Sequence, residues 1–320
     1  MGKSNLDLVQ ECDRFPYHQD DPAAYTIHME KYHSFRVQGC NSALGYIVND
    51  VVSRFDWSPE FWAIDSANRT VTLIAGSTPA ERTHAVAATL DTAVKQDRFE
   101  VLRGWRDEMY PVFGPNGEFI LELERCASPL FGIVSYGIHA TAYVEDGDGL
   151  RLWVPRRSKT KQTYPGMLDN TVAGGMSTAE RPYECLVREA MEEASLPEDV
   201  VRASAAAAGC VSYTYVRDKR AGGETDLVQP EVEYVYDIRL SADVIPKPND
   251  SEVEEFCLLT VEETKKALGN GEFKPNCAMV LIDFFVRHGI LTPENEKDFL
   301  EIITKLHRRL EFPTASHVTK

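Results

Sequence analysis

Two periods of apolar and polar residues divide this 320-residue chain into a helical part and a strand-rich part. Short helices and a strand are predicted at 6–14, 42–55 and 70–74. A longer helix is predicted from Thr78 to Lys95, because Thr78 and Glu81 have the spacing of a capping box. From about Gly132 apolar and polar residues alternate, and the turn at 146–149 joins two such runs into a predicted β-hairpin.

Strands and then helices follow in the rest of the chain. Strands are predicted at 210–216, 232–240 and 253–259. A helix is predicted to begin at the capping box of Thr260 and Glu263, and further helices at 278–288 and 292–310. This order fits an α/β/α sandwich with a mixed sheet, preceded by a smaller α+β domain. The expected domains are an amino-terminal α+β domain at 1–125, the sandwich at 126–290, and a carboxy-terminal helix and tail at 291–320.

The composition limits the kinds of binding partner that are expected. A formal net charge of -16 and a pI near 5.0 argue against a nucleic-acid surface, because phosphate backbones are bound by clustered Lys and Arg. No apolar run reaches the ~18 residues of a membrane-spanning helix. The seven cysteines are scattered and lack Cys-x-x-Cys spacing, which is typical of reduced thiols. We therefore expect a cytoplasmic protein without nucleic-acid or membrane partners.

An acidic helix carries the clearest chemistry. Glu189, Glu192 and Glu193 are three and four positions apart, so they project from one helix face, where like charges repel. A divalent cation removes this repulsion, and Mg²⁺ prefers carboxylate oxygens while it shares other positions with phosphate. Upstream, Gly174 and Gly175 let a ligand approach the backbone closely. The pattern predicts metal-dependent cleavage of a diphosphate.

Basic and acidic residues on either side of this helix supply further candidates. Four cations lie shortly before it, at Arg156, Arg157, Lys159 and Lys161. They are suited to hold a diphosphate from the side that the metal does not cover, and a solvated basic loop is the alternative. The general base is expected to be Glu193 or a glutamate of the later acidic run, such as Glu252. Stacking on a heteroaromatic substrate ring is considered for Trp153, Tyr164, His139 and Tyr213.

The helix and its flanks resemble the Nudix box, which the family writes as Gly-x5-Glu-x7-Arg-Glu-apolar-x-Glu-Glu-x-Gly-apolar. The matching residues are Gly174, Glu180, Arg188, Glu189, Ala190, Glu192, Glu193 and Leu196. Ser195 replaces the last glycine, which touches the helix cap and no metal ligand. The resemblance implies a Nudix sandwich in which the three glutamates hold Mg²⁺ or Mn²⁺. It also implies that Arg188 pairs with Glu180 to brace the loop against the helix.

A narrower resemblance covers nearly the whole chain. The segments 105–112, 131–139, 153–175 and 250–256 are similar to fungal and plant Nudix proteins related to the amino-terminal half of a fungal thiamine pyrophosphokinase fusion. The resemblance implies hydrolysis of thiamine diphosphate, preferentially of its oxo and oxy damage products, to the monophosphate and phosphate. The additional amino-terminal domain is then a candidate for forming a homodimer or covering the substrate pocket.

Three other functions stay open on the sequence. The same chemistry would act on a nucleotide sugar, coenzyme A or a dinucleotide. An enzyme similar to isopentenyl diphosphate isomerase would share the fold, but that enzyme relies on a catalytic cysteine, and Cys185 lies inside the helix here. A non-catalytic binding module would keep the fold with an idle metal site.

Overall fold

The computed structural model describes residues 2–147, 149–161, 163–249 and 251–315. The helices are α1 (Asn5–Cys12), α2 (Pro22–Met29), α3 (Asn49–Arg54), α4 (Pro79–Lys95), α5 (Ser128–Phe131), α6 (Pro182–Ala194), α7 (Glu198–Ser204), α8 (Val261–Gly269), α9 (Pro275–Arg287) and α10 (Phe299–Leu306). The strands are β1 (Tyr32–Val37), β2 (Gly45–Val48), β3 (Trp62–Asp65), β4 (Thr70–Leu73), β5 (Met109–Phe113), β6 (Phe119–Glu124), β7 (Ser135–Asp146), β8 (Gly149–Arg157), β9 (Val172–Gly175), β10 (Ala205–Val216), β11 (Val228–Arg239) and β12 (Val253–Thr260).

The chain forms two compact units that interleave along the sequence. The first unit contains the residues up to Asp13, Tyr136–Tyr213 and Val232–Arg309. The second contains Arg14–Ser135, Thr214–Glu231 and the residues from Leu310. Each unit is therefore built from separate stretches of chain. The division at residues 125 and 290 that the sequence suggests stays a prediction.

A sheet with the strand order β10-β11-β7-β8-β12 forms the centre of the first unit, and β9 pairs with β7. β7 and β8 are antiparallel up to the pair Asp146 and Gly149, as the hairpin prediction requires, and Asp148 in the turn lies outside the described residues. Residues 135–142 of β7 are all buried, which is typical of a strand covered on both faces. Helix α6 packs against β9, and aromatic side chains join β7 to α9. The predicted α/β sandwich is confirmed.

The second unit has the α+β composition predicted for the amino-terminal part of the chain. Its sheet has the order β2-β1-β4-β3, with β1 antiparallel to β2 and parallel to β4. Helix α4 packs against the β5-β6 hairpin. Aromatic residues fill the core, and the rings of Trp62 and Phe131 lie 6.0 Å apart between centroids.

Local signals predicted several helix ends correctly. Thr78 and Thr260 accept hydrogen bonds from the N–H groups of Glu81 and Glu263, and each glutamate accepts one from the threonine N–H. Ser195 ends α6 in the left-handed conformation, with φ at 53°. A serine costs about 1 kcal/mol there relative to glycine, so its departure from the box affects the end of the helix only.

The helix predicted at 42–55 is wrong in extent. Gly45–Val48 forms β2, which pairs with β1 from Phe35 opposite Gly45 to Tyr32 opposite Val48. Aromatic and β-branched residues at 46–48 favour an extended strand, and this preference outweighs the helical spacing. The helix α3 begins only at Asn49.

The helix predicted at 292–310 is also too long, because α10 covers only Phe299–Leu306. Asn295 Oδ1 accepts a hydrogen bond from Thr292 N–H at 2.8 Å, and its Nδ2 donates to Ile290 C=O at 3.0 Å. Both groups lie at or before the first turn, where a helix does not use them, whereas Asp298 N–H donates to Glu296 Oε1 at 3.0 Å in place of a helical carbonyl group. No helix in the described parts of the chain has the length and apolar character needed to cross a bilayer.

A buried ion pair joins α1 to the carboxy-terminal part of the first unit. Arg308 Nη1 lies 3.1 Å from Asp13 Oδ1, and neither side chain is more than 1% exposed. Arg308 N–H also donates to Ser212 C=O on the edge strand β10, at 3.0 Å. Helix α1 packs against α9 and α10 next to this pair. Two charges removed from water in this way must stay paired.

Candidate active site

Helix α6 presents its charged side chains because its apolar side chains are buried. The buried residues are Cys185, Leu186, Val187, Ala190 and Ala194. Pro182 occupies the first turn, where its missing N–H costs no helical hydrogen bond. With the apolar face packed, Glu189 and Glu193 reach β9, whereas the Glu192 side chain stays 53% exposed.

Glu189 and Glu193 both contact β9. Glu193 accepts a hydrogen bond from Ala173 N–H at 2.9 Å. Glu189 lies over Gly174, because a Cβ added to Gly174 would come within 2.1 Å of Glu189 Cδ. The glycine that the sequence singled out thus provides the space for a carboxylate of the site. Its neighbour Gly175 pairs with β7.

Arg188 is the counter-ion of the acidic face. Its Nε and Nη2 donate to the two Glu180 oxygens at 2.9 and 3.2 Å. Its Nη1 donates to Glu189 at 2.8 Å and to Glu192 at 2.9 Å. Burial acts to raise the pKa of Glu180, but the Arg188 guanidinium outweighs burial and holds that pKa below its ordinary range. The helix and the preceding loop are therefore joined through one guanidinium.

The box carboxylates are not preassembled as a metal cage. Across the ranges that the structure describes, no three His, Cys, Asp or Glu side chains are grouped to hold a metal ion. The like-charge repulsion that the sequence predicts among the three glutamates acts chiefly on Glu193. Burial, followed by Glu189 and Asp169, raises the pKa of Glu193 to about 8. A hard cation would relieve this repulsion, so the oxygen donor set fits Mg²⁺ or Mn²⁺.

Glu233 is a residue of the site that sequence reasoning missed. It lies on β11, is 6% exposed, and accepts a hydrogen bond from Tyr213 OH at 3.0 Å. Its Oε2 is buried and has no hydrogen-bond partner among the described residues. A Cβ added to Gly137 would lie 2.2 Å from Oε2 and 3.0 Å from Gly174 C=O. Glu233 therefore approaches the same pair of strands as Glu189.

A buried histidine accompanies Glu233. His139 Nε2 lies 3.7 Å from Glu233 Oε1, and His139 Nδ1 lies 2.7 Å from Asn170 Oδ1. Burial acts to lower the pKa of His139, but the Glu233 carboxylate outweighs burial and raises that pKa well above its ordinary value. His139 and Tyr213 are 3% and 1% exposed, so the structure excludes both from stacking on a substrate. Tyr164 is buried as well, whereas Trp153 is half-buried.

Arg157 lies inside the loop that precedes the box. Its Nη1 lies 2.5 Å from Asp169 Oδ2, and its Nε and Nη2 donate to the carbonyl groups of Tyr164 and Thr163. Asp169 also accepts a hydrogen bond from Cys277 Sγ at 2.6 Å. Because the Arg157 side chain is only 9% exposed, its role is to support the loop, which corrects the expectation that it binds substrate.

The other three predicted cations each pair with a glutamate of the acidic run. The pairs are Arg156 with Glu255 at 3.5 Å, Lys159 with Glu254 at 3.5 Å, and Lys161 with Glu252. Ser158 N–H also donates to Glu252 C=O at 2.9 Å, so the basic loop follows the start of β12. Glu252, the general base considered from the sequence, is therefore paired with Lys161.

Replacing Gly174 by alanine should lower turnover without unfolding the protein. The added Cβ meets the Glu189 side chain rather than backbone, so the carboxylate must leave β9 while the strand stays. We expect kcat to fall about 10²-fold and the melting temperature to change by less than about 4 °C. Gly147→Ala is the control, because its Cβ meets nothing within 4 Å. Phosphate release and thermal unfolding report the two effects, and equal turnover in both variants would contradict the assignment of Glu189.

Comparison with known families divides the chain in two. The profile of the NUDIX domain matches residues 135–277, and the profile described as a domain of unknown function (DUF4743) matches residues 5–135. The first match contains α6, β9 and Glu233. The site described above therefore lies wholly within the NUDIX match.

Three curated proteins are similar over most of this chain. The uncharacterized protein YJR142W of Saccharomyces cerevisiae is 48% identical over 67% of this chain and 64% of its own length. Nudix hydrolase 20, chloroplastic, of Arabidopsis thaliana is 38% identical over 72% of this chain and 59% of its own length. Nudix hydrolase 24, chloroplastic, of the same plant is 35% identical over 71% and 60%. The chain thus spans less than two thirds of each relative, and its residues 135–277 match the NUDIX domain family.

Proposed function

We propose that this chain hydrolyses a diphosphate linkage with the help of a divalent metal ion, and that its substrates are thiamine diphosphate and the oxidised forms of that cofactor. One observation carries the reaction class: Glu189 and Glu193 converge on β9 beside the buried Oε2 of Glu233, which has no hydrogen-bond partner among the described residues. The names of the two plant relatives support hydrolysis. The substrate rests on the resemblance of the whole chain to the thiamine-related branch.

The residues of α6 and β11 have separate tasks in this proposal. Glu189, Glu192 and Glu193 would hold Mg²⁺ or Mn²⁺, with Arg188 and Glu180 fixing the helix against the loop. When bound, such an ion neutralises phosphate charge and lowers the pKa of a water molecule. Gly174 leaves the space that Glu189 occupies, and Gly175 would let the diphosphate approach β9 closely. Arg156, Lys159 and Lys161 would contact phosphate oxygens in exchange for their glutamate partners.

Glu233 is the proposed acceptor of the proton from the attacking water. Its Oε2 accepts no hydrogen bond from the described residues, whereas Glu252 is paired with Lys161. Glu233→Gln should therefore lower kcat about 10²-fold to 10⁴-fold and remove the acidic limb of the pH profile. Glu252→Gln should leave that limb in place. The proposal fails for Glu233 if only Glu252→Gln changes the profile.

Cleavage of a panel of diphosphates, followed by chromatography of the products, tests the reaction and the substrate together. Thiamine compounds would give a monophosphate and inorganic phosphate, whereas a linkage between two organic groups would give two phosphate monoesters. The panel contains thiamine diphosphate, its oxo and oxy derivatives, a nucleotide sugar, coenzyme A and a dinucleotide, each with Mg²⁺ and with Mn²⁺. We expect kcat/KM to be highest for the thiamine compounds. Preference for one of the last three would replace the substrate and keep the reaction, whereas no cleavage of any compound would leave a binding module.

The isomerase alternative would need a reactive cysteine, and Cys185 in α6 does not provide one. Cys185 is fully buried in α6, and burial, followed by the charges of Glu180 and Glu189, raises the pKa of its thiol. A cysteine in this position does not reach a substrate. The cytoplasmic location and the homodimer stay predictions, for which a fluorescent fusion and sedimentation are the measurements.

A further inference from the structure

The described cations around the site differ in whether they have a counter-ion. Arg156, Arg157, Lys159 and Lys161 are each paired with an aspartate or glutamate. Lys274, at the start of α9, is different. The contact that the structure records for its Nζ is the Tyr164 ring, 6.0 Å away at the centroid, and no described carboxylate forms an ion pair with it.

Lys274 nevertheless lies close to the acidic centre of the site. The first turn of α9 borders this centre, because Asn276 Nδ2 lies 3.4 Å from His139 Nε2 and Cys277 Sγ donates to Asp169 at 2.6 Å. Burial acts to raise the pKa of Asp169 and of Glu233, but Arg157 in the first case and His139 in the second lower it, with Lys274 as a further positive neighbour. The residue is half-buried, so its charge is partly shielded from water and faces the protein on one side.

The position of Lys274 is fixed by the loop that precedes the box. Lys274 N–H donates to Leu168 C=O at 3.0 Å, and Leu168 N–H donates to Glu272 C=O at 2.9 Å. Tyr164, whose ring Lys274 approaches, is buried with φ at 49°, and its C=O accepts a hydrogen bond from Arg157 Nε at 3.2 Å. The buried Arg157 therefore holds the loop against which the Lys274 backbone is bonded.

We propose that Lys274 binds a phosphoryl oxygen of the diphosphate. It would be a substrate-binding cation that does not belong to the basic tract before the box. A half-buried lysine that forms no ion pair with a described carboxylate can take a phosphate oxygen as its counter-ion. A phosphate beside Glu233 supplies the anion. This inference rests on the proposed diphosphate chemistry, and it names a residue outside the box and outside the four predicted cations.

Binding of methylenediphosphonate, a diphosphate analogue that cannot be hydrolysed at its bridge, tests this directly. Calorimetric titration in the presence of Mg²⁺ should show an affinity at least about tenfold weaker for Lys274→Met than for the parent, because a charge-assisted hydrogen bond is lost. Methionine keeps the apolar stem. Lys274→Arg should recover part of the affinity. Lys265→Met, which removes an exposed lysine of α8 that is paired with Glu262 and has no role in the proposed site, should change it less than about threefold.

Each outcome has one meaning for Lys274. Equal affinity of the parent and Lys274→Met overturns the inference, as does a parent that does not bind methylenediphosphonate at all. If Lys274 only balanced Asp169 and Glu233, Lys274→Met would lower the melting temperature and leave the affinity of the folded protein unchanged, which also overturns it. A parent that binds the analogue through Lys274 but releases phosphate from no diphosphate would support the inference and refute the proposed hydrolysis.

Discussion

Glu193→Gln should remove turnover and stabilise the metal-free protein at the same time. We expect kcat to fall at least about 10³-fold, because a proposed metal ligand and its charge are lost. The substituted amide would keep an oxygen for Ala173 N–H but carry no charge beside Glu189. Because burial and Glu189 raise the pKa of Glu193 to about 8, the free energy of unfolding should increase by an amount on the order of 1–3 kcal/mol at pH 7.

The stability difference between Glu193→Gln and the parent should depend on pH. Below the ordinary pKa of a glutamate, Glu193 is protonated in the folded and unfolded states alike, so parent and variant should be equally stable. As the pH rises towards 8, the unfolded state releases the proton first, and the parent loses stability relative to the variant. Urea unfolding in EDTA from pH 4 to pH 9 measures the difference. Glu198→Gln, on the exposed helix α7, is the control, and an equal gain there would refute the explanation.

Asp13→Ala should be the most destabilising single change outside the site. It leaves the Arg308 guanidinium buried without its partner carboxylate, and breaking a buried pair in this way costs about 3–5 kcal/mol. Urea unfolding measures the loss. Glu262→Ala, which breaks the exposed pair with Lys265, should cost less than about 1 kcal/mol. If Asp13→Ala cost no more than Glu262→Ala, the pair between α1 and the end of the first unit would contribute nothing.

The parts of the site that could be predicted are those with a local signal. The spacing of Glu189, Glu192 and Glu193 in one helix places them on one face, and the glycine before the helix marks the backbone that they approach. Capping boxes at Thr78 and Thr260 likewise depend on residues three positions apart. Each of these features is decided within about one turn of chain.

Glu233 and Lys274 could not be found in this way. Glu233 belongs to the site because β11 pairs next to β7, where Gly137 makes room for its carboxylate. Nothing near Lys274 in the sequence indicates Tyr164 as its neighbour. The basic tract at residues 156–161 is the opposite case. Its charges can be read from the sequence, but the glutamates at 252–255 that neutralise them are far away in the chain. Contacts between segments that are distant in the sequence decide all three cases.

The interleaving of the two units has a consequence for synthesis on the ribosome. Residues 14–135 emerge long before Thr214–Glu231, the hairpin tip that completes the same unit. Glu224 in that tip accepts hydrogen bonds from the N–H groups of Glu100 and Val101 and pairs with Arg54. The second unit can therefore form these bonds only after roughly a hundred further residues have been synthesised, which takes several seconds at ordinary elongation rates. A gene shortened to encode only the residues up to 135, where the DUF4743 match ends, would lack Thr214–Glu231 and could not complete the second unit.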